Sequence, residues 1–342
     1  MPKVMFITNS LSGGGAERST NSTANQLALK GWKVLLVPIN GEVPLTNSLN
    51  CEINPILRNQ RAGVFSTFRA FLRLNWLVIR WKPDFVIANC ELPELMVAFL
   101  ITNPKIVVVQ HTSFPWMRHR SMGRVVRNIL NLRKCIWCGV SDHLVIWPFF
   151  KSVNCVFPNP LDHVAPPALN STSIKLSRLL FIGRLSPEKH PQVAIEIATK
   201  LGLELEIVGE GALIQQLKEL SSQLKCSSTF HGYLSNPWQI YEKGDLLIVP
   251  SIFEGDGLVI LEAMQRSVPM LIADIPDFRR FNFPESNYCA NLDQFVERAL
   301  NNSENIGSLL IPRNLSSQIL ASRELSNTVP IWESFLNMNA SK

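Results

Sequence analysis

One feature constrains this chain of 342 residues more than any other. Short apolar runs alternate with longer amphipathic segments, the pattern stops at a polar break, and then it starts again. KVMFITN (3–9), KVLLVPI (33–39), DFVIAN (84–89), KIVVVQH (105–111) and CIWCGVS (135–141) read as buried strands separated by helical stretches. The first of these helices runs from Ala16 to Lys30 and stops at Gly31. PNPLDHVAPPALNSTSIKLS (158–177), rich in Pro, Ser, Thr and Asn, reads as a linker. Beyond it RLLFIG (178–183), LELEIVG (203–209), STFHG (228–232), DLLIVPS (245–251) and VPMLIAD (268–274) read as strands, with helices near 190–201, 211–224 and 257–266. Strands that alternate with helices form parallel βαβ units covered on both faces. The sequence therefore predicts two α/β domains in series, 1–163 and 164–324, and a closing helix within 325–342 that packs back on the first.

Composition narrows the function classes. Apolar residues make up 46% of the chain and charged residues 18%, which excludes a disordered polymer. No apolar run approaches the roughly 18–20 residues that span a bilayer. The start, MPKVMFITNS, is too short for a signal peptide and reads as a first strand. Seven cysteines without a secretion signal point to a reducing cytoplasm. Cys135 and Cys138 form a lone CxxC with no second pair and no neighbouring His pair, so zinc is not expected. The net charge of +6 is unevenly spread: residues 1–141 hold 17 Lys/Arg against 6 Asp/Glu, and residues 142–342 hold 16 against 21. A basic first half faces something anionic, either nucleic acid or an anionic membrane.

In open parallel sheets ligands bind beyond the carboxyl ends of the strands, and every polar motif here lies at such an end. SLSGGGAERS (10–19) sets three glycines between a strand and a helix, where backbone N–H groups can meet an anion. The spacing matches neither the dinucleotide nor the P-loop pattern, and a plain tight turn would use the same glycines. FIGRLSPEKHP (181–191) places Arg184 and Lys189 on one loop, suited to clamping a diphosphate; a solvated loop is the bland alternative. Shielded charge-assisted contacts of this kind contribute roughly 1.5–3 kcal/mol each. EGDGLVILE (254–262) joins two carboxylates through a glycine turn and the start of a helix. Glu254 precedes the turn, and Glu262 lies a little over two helical turns on, able to reach another part of the same ligand. Carboxylates accept hydrogen bonds from paired sugar hydroxyls, although an N-cap and an exposed helical Glu would look the same.

Together GGGAER, GRLSPEK, VGEG (208–211), HGYL (231–234) and EGDGLVILEAM (254–264) occur in an order that resembles the family-4, or group 1, retaining glycosyltransferases. The resemblance covers nearly the whole chain. It implies the GT-B fold: two Rossmann-like, doubly wound parallel-sheet domains facing a central cleft, with a nucleotide-sugar donor on the second domain and most of the acceptor on the first. It further implies that Arg184 and Lys189 neutralise the donor diphosphate, Glu262 binds the ribose, and Glu254 lies beside the donor sugar. Gly257 and Leu258 supply backbone donors, Gly14 faces the phosphates, Tyr233 and Leu234 hold the base, and His111 contacts the transferred sugar. The family's outcome is retention through an oxocarbenium-like, same-face transfer, with no covalent adduct, no metal and no cofactor. Two positions depart from the pattern. Asp256 stands where Phe is usual, and Ser267 where Gly is common. The segment IPDFRRFNFPES (275–286) lacks the usual glycine pair and following glutamate.

The basic half carries two amphipathic stretches. Arg69, Arg73 and Arg80 share a helical face near Phe65, Phe68, Leu72 and Trp76. In WMRHRSMGRVVRNILNLRK (116–134), Arg120, Arg124, Arg127 and Lys134 fall along one stripe, with Val125, Val126, Ile129 and Leu132 mostly opposite. Taken singly each is an ordinary helix with a solvated face. Two such stretches with so few acids predict peripheral attachment to the cytoplasmic face of an anionic membrane, which suits a lipid-linked glycan acceptor in bacterial surface-polysaccharide assembly. No nucleic-acid reading element is present, so nucleic acid is not an expected partner. A nucleotide-sugar epimerase of the same plan and a non-catalytic membrane-bound relative are the competing readings.

Overall fold

The structure, a computed structural model, describes residues 2–11, 14–40, 50–58, 63–161 and 173–340. Most of the expected linker, at 162–172, lies outside them, as do Ser12 and Gly13 of the glycine loop. The elements run β1 (Lys3–Thr8), α1 (Gly15–Leu29), β2 (Lys33–Pro38), β3 (Glu52–Ile53), α2 (Gly63–Trp81), β4 (Phe85–Asn89), α3 (Glu91–Ala98), β5 (Lys105–Gln110), α4 (Arg120–Leu132), β6 (Ile136–Gly139), β7 (Val145–Ile146), β8 (Lys151–Ser152) and β9 (Cys155–Val156). They continue with β10 (Arg178–Ile182), α5 (Pro191–Leu201), β11 (Glu204–Val208), α6 (Ile214–Gln223), β12 (Ser228–Gly232), β13 (Asp245–Val249), α7 (Leu258–Gln265), β14 (Met270–Ala273), α8 (Pro276–Arg279), β15 (Tyr288–Cys289), α9 (Leu292–Asn301), α10 (Arg313–Ala321) and α11 (Leu325–Ala340). Two compact units result: Met1–Asp162 with Ser322–Lys342, and His163–Ala321.

The first unit is a parallel sheet in the order β3-β2-β1-β4-β5-β6-β9, with a small antiparallel β7–β8 hairpin beside it. The period-2 alternation of its strands feeds two cores. Val86 and Ala88 of β4 enter one core with Leu74 and Val78 of α2, Val97 of α3 and Leu130 of α4. Phe85 and Ile87 enter the other with Leu27 of α1 and Trp332 and Phe335 of α11. The closing helix thus belongs to the first unit. Its Trp332 ring stacks on Phe157 at 3.6 Å, and Leu161 N–H donates to the Arg323 carbonyl at 2.9 Å. The second unit is a parallel sheet in the order β12-β11-β10-β13-β14-β15. Leu179, Ile207, Ile248 and Leu271 pack there against Ala194 and Ala198 of α5 and Phe295 of α9. In each sheet the first strand is central and the order reverses beside it, between β1 and β4 and between β10 and β13. That reversal is the usual ligand position of a doubly wound sheet.

Candidate active site

In the second unit the site is built at the reversal. The loop after β10 is pinned to the end of β11, because Gly183 N–H donates to the Val208 carbonyl at 3.0 Å and Leu185 N–H to the Glu210 carbonyl at 2.9 Å. Gly209 makes that approach possible: its φ is +138°, and a Cβ there would lie 1.9 Å from the Gly183 carbonyl oxygen. From this loop Lys189 reaches across to the loop after β13, where its Nζ pairs with Glu254 Oε1. Ser251 Oγ donates to the same carboxylate oxygen at 3.1 Å, and Ile252 N–H donates to the Glu188 carbonyl at 2.9 Å. Because β10 and β13 are sheet neighbours, two stretches about 65 residues apart in sequence meet side chain to side chain and main chain to main chain. Arg184 is exposed on the same loop, with no carboxylate within ion-pair distance among the described residues.

Gly257 ends the loop in the left-handed region (φ +67°) and caps α7, so that Leu258 begins the helix, where the first N–H groups have no intrahelical acceptor. Glu262, one turn further in, is buried and accepts from Trp238 Nε1 at 2.8 Å. The Arg266 guanidinium sits 5.1 Å from the centre of the Trp238 ring. Trp238, which sequence reasoning missed, is thus the group that orients Glu262. Its signal was a lone indole in NPWQI, just past β12. Tyr233 is exposed at the end of β12 and its N–H donates to Glu210 Oε1 at 3.3 Å; Leu234 beside it is half-buried.

The two single-residue departures from the family pattern have a physical account. Asp256 is 5% exposed, and Arg280 Nη2 donates to its Oδ1 at 2.8 Å, so the extra carboxylate is neutralised. Ser267 adopts φ +52°, the left-handed position just past α7 that glycine fills without strain.

In the first unit, Gly14 caps α1 with extended backbone, and Arg18 N–H donates to its carbonyl at 3.2 Å. His111 follows β5, and its Nε2 bonds Asn89 Oδ1 at 3.0 Å. Asn89, at the end of neighbouring β4, is buried and was not singled out in the sequence. Both residues line a small internal cavity with Ser19, Thr20 and Thr23 of α1.

The basic residues divide. Arg69, Arg73 and Arg80 are exposed on α2, with Arg73 Nη1 donating to the Ile56 carbonyl at 3.2 Å and Arg80 lying over the Trp76 ring. The same surface exposes Phe65 (84%), Phe68, Leu72, Trp76 (59%) and Ile79. Arg120 and Arg124 are exposed on α4. Arg127 is not: it is fully buried and forms no part of a solvent-facing stripe. Its Nε and Nη2 grip the Glu94 carboxylate of α3 at 2.9 and 2.7 Å, and its Nη1 reaches Gln110 and the Trp147 carbonyl. The helical stripe that begins at Arg120 turns inward here because Glu94 supplies a buried counter-charge. Val125 and Leu132 (82%), expected on the inner side, face solvent instead. Burial pushes the nearby Glu91 carboxyl above its ordinary range, and the Glu94 charge adds to this against the Trp116 N–H. Among the described residues no group of three or more His, Cys, Asp or Glu is arranged to hold a metal ion. Cys135 and Cys138 are buried in and beside β6, and burial pushes the Cys135 thiol up to about 12.

Two doubly wound units of this plan are the architecture of the GT-B fold. Residues 173–287 match the model of the family described as glycosyl transferases group 1. The chain is similar to the GalNAc-alpha-(1->4)-GalNAc-alpha-(1->3)-diNAcBac-PP-undecaprenol alpha-1,4-N-acetyl-D-galactosaminyltransferase of Campylobacter jejuni. The two are 24% identical over 284 residues, which covers 77% of each. It is 31% identical over 141 residues to the UDP-Gal:alpha-D-GlcNAc-diphosphoundecaprenol alpha-1,3-galactosyltransferase of Escherichia coli, covering 35% of this chain and 36% of that one. In fold it is similar to Anabaena HepE in complex with UDP and glucose, with a TM-score of 0.75 at 15% identity over the whole of both chains. The group 1 match thus falls on the second unit, and the relatives that extend over the first are glycosyltransferases by name.

Proposed function

We propose that this enzyme moves a sugar from a nucleotide-sugar to a hydroxyl of a lipid-linked glycan, with retention and without a metal ion, during assembly of a bacterial surface polysaccharide. The observation that carries the reading is the Lys189–Glu254 pair, which brings the basic loop and the acidic loop of the second unit onto one another. Relatives whose names specify a diphospho-undecaprenol acceptor, one of them with UDP-Gal as donor, support the substrate classes.

Breaking a sugar–diphosphate bond builds positive charge at the anomeric carbon and negative charge on the departing phosphate. Arg184, Lys189 and the backbone N–H groups at Gly257 and Leu258 take up the second charge. Glu262, fixed by Trp238, accepts from the ribose hydroxyls. Tyr233 and Leu234 flank the base. Glu254 stabilises the donor sugar. The bond from the anomeric carbon to the diphosphate breaks as the bond to the acceptor oxygen forms on the same face, and the acceptor's proton passes to the departing phosphate oxygen. Glu254→Ala should lower transfer about 10²–10³-fold, the size of losing one preorganised electrostatic stabiliser. Transfer at the wild-type rate by that variant would remove the role.

The enzyme acts at the cytoplasmic membrane surface, held by α2. Its exposed Phe65, Phe68, Leu72, Trp76 and Ile79 enter the interface, while Arg69, Arg73 and Arg80, with Arg120 and Arg124 of α4, meet anionic headgroups at about 1 kcal/mol each. No described helix is long and apolar enough to cross a membrane.

A further inference from the structure

Asp256 and the segment 275–286, both of which depart from the family pattern, touch each other. Arg280 comes from the segment 275–286, and its Nη2 donates not only to Asp256 Oδ1 but also to the Asp256 main-chain carbonyl, both at 2.8 Å. Its Nε donates to the Asp277 carbonyl at 3.0 Å, and its guanidinium lies 4.3 Å from the centre of the Phe281 ring. Asp277, three residues before Arg280, accepts the Glu254 N–H through Oδ2 at 2.8 Å. Both ends of the glycine-containing loop 254–257 are therefore held from outside, by the segment after β14. The contact to the Asp256 carbonyl matters most. That carbonyl shares a planar trans peptide with the Gly257 N–H, and the two point in opposite directions. Fixing the carbonyl aims the N–H. Gly255 and Gly257 would otherwise leave this peptide plane free to turn.

We propose that Arg280 is a positioning residue for the sugar half of the donor: by gripping Asp256 it aims the Gly257 N–H and, with Asp277, keeps Glu254 in place. This rests on the reading of the second unit as the donor site. The nucleotide half is held elsewhere, by Lys189, Trp238-oriented Glu262 and the end of β12. Arg280 therefore acts on how much the sugar adds to binding and on turnover, not on the grip on the nucleoside diphosphate. Its buried partner sets a second condition. Removing Arg280 alone takes the guanidinium away from the buried Asp256 carboxylate, whereas Asp256→Asn removes that charge and keeps an acceptor.

The test compares affinities of wild type, Arg280→Met, Arg280→Lys and the double variant Asp256→Asn with Arg280→Met. UDP, GDP and ADP are measured first, and the UDP-, GDP- and ADP-sugars second. The double variant stands in should Arg280→Met fail to fold. With Arg280→Met or the double variant, affinity for the free diphosphate should stay within about twofold, while the extra affinity of the nucleotide-sugar and its turnover fall about 10–100-fold, the weight of a shielded charge-assisted bond. Arg280→Lys should recover part of the loss. An unchanged ratio of nucleotide-sugar to diphosphate affinity in every variant overturns the inference, and so does an equal loss of both. Failure of the wild-type enzyme to bind any of the nucleotides would instead remove the donor-site reading itself.

Discussion

The two units have the same plan and use charge in opposite ways. In the second, Arg184 apart, the charged side chains around the reversal point are spent within the site: Lys189 on Glu254, Arg280 on Asp256, Asp277 on the Glu254 N–H. In the first, one ion pair is sealed inside, Arg127 on Glu94, while Arg69, Arg80, Arg120 and Arg124 remain outside among exposed aromatic and aliphatic side chains. A preorganised polar site suits a ligand whose charge is local and developing. A basic, apolar surface suits a partner that is broad and anionic. The sequence alone set Lys189 against a donor diphosphate and Arg127, with the other arginines of the first unit, against a membrane. The difference lies in where each finds its carboxylate.

The contrast is sharpest at Arg127, where the largest effect is expected. Arg127→Met leaves Glu94 buried and unpaired, and unfolding by denaturant should show the first unit destabilised by about 3–5 kcal/mol. Adding Glu94→Met should restore most of that loss. A membrane-binding role would predict the reverse: unchanged stability and weakened vesicle binding. The surface of α2 should behave in the opposite sense. Phe65→Ser together with Trp76→Ser should leave stability within about 0.5 kcal/mol, as at other exposed sites. The same pair should weaken sedimentation with vesicles containing anionic lipid about tenfold or more, from the loss of inserted apolar area. Equal binding by wild type and variant would leave the basic and apolar surface without a membrane role. The smallest effect belongs to the donor unit. Ser267→Gly relieves a left-handed serine past α7 and should raise stability by about 1 kcal/mol, read as a higher unfolding midpoint with nucleotide affinity unchanged.

Periodicity made most of the fold legible, because long apolar strands and amphipathic helices carry their own signal. β3 and β15 carried none: at two residues each they have no period to read, and their neighbours in the sheet define them. Lys189, Glu254 and Glu262 were legible because glycines and strand ends mark them locally. Trp238, Asp277 and Arg280 were not, since each acts on a residue 23 or 24 positions away that only the folded sheet brings near. Arg127 was misread for the same reason. Helical spacing places it beside Arg120, and nothing within α4 reveals that Glu94, 33 residues earlier, draws it inward.

The claim beneath all of this is that one activated sugar sits between the Lys189 loop and the Glu254–Glu262 stretch of the second unit. Calorimetric titration of the UDP-, GDP- and ADP-sugars into wild type, Lys189→Ala and Glu262→Gln tests it most directly. One donor should bind the wild type, and each variant should weaken it by about 10–100-fold, as expected for loss of a shielded charge-assisted contact. Binding of that donor to both variants with wild-type affinity, or of none of the three to the wild type, would contradict it.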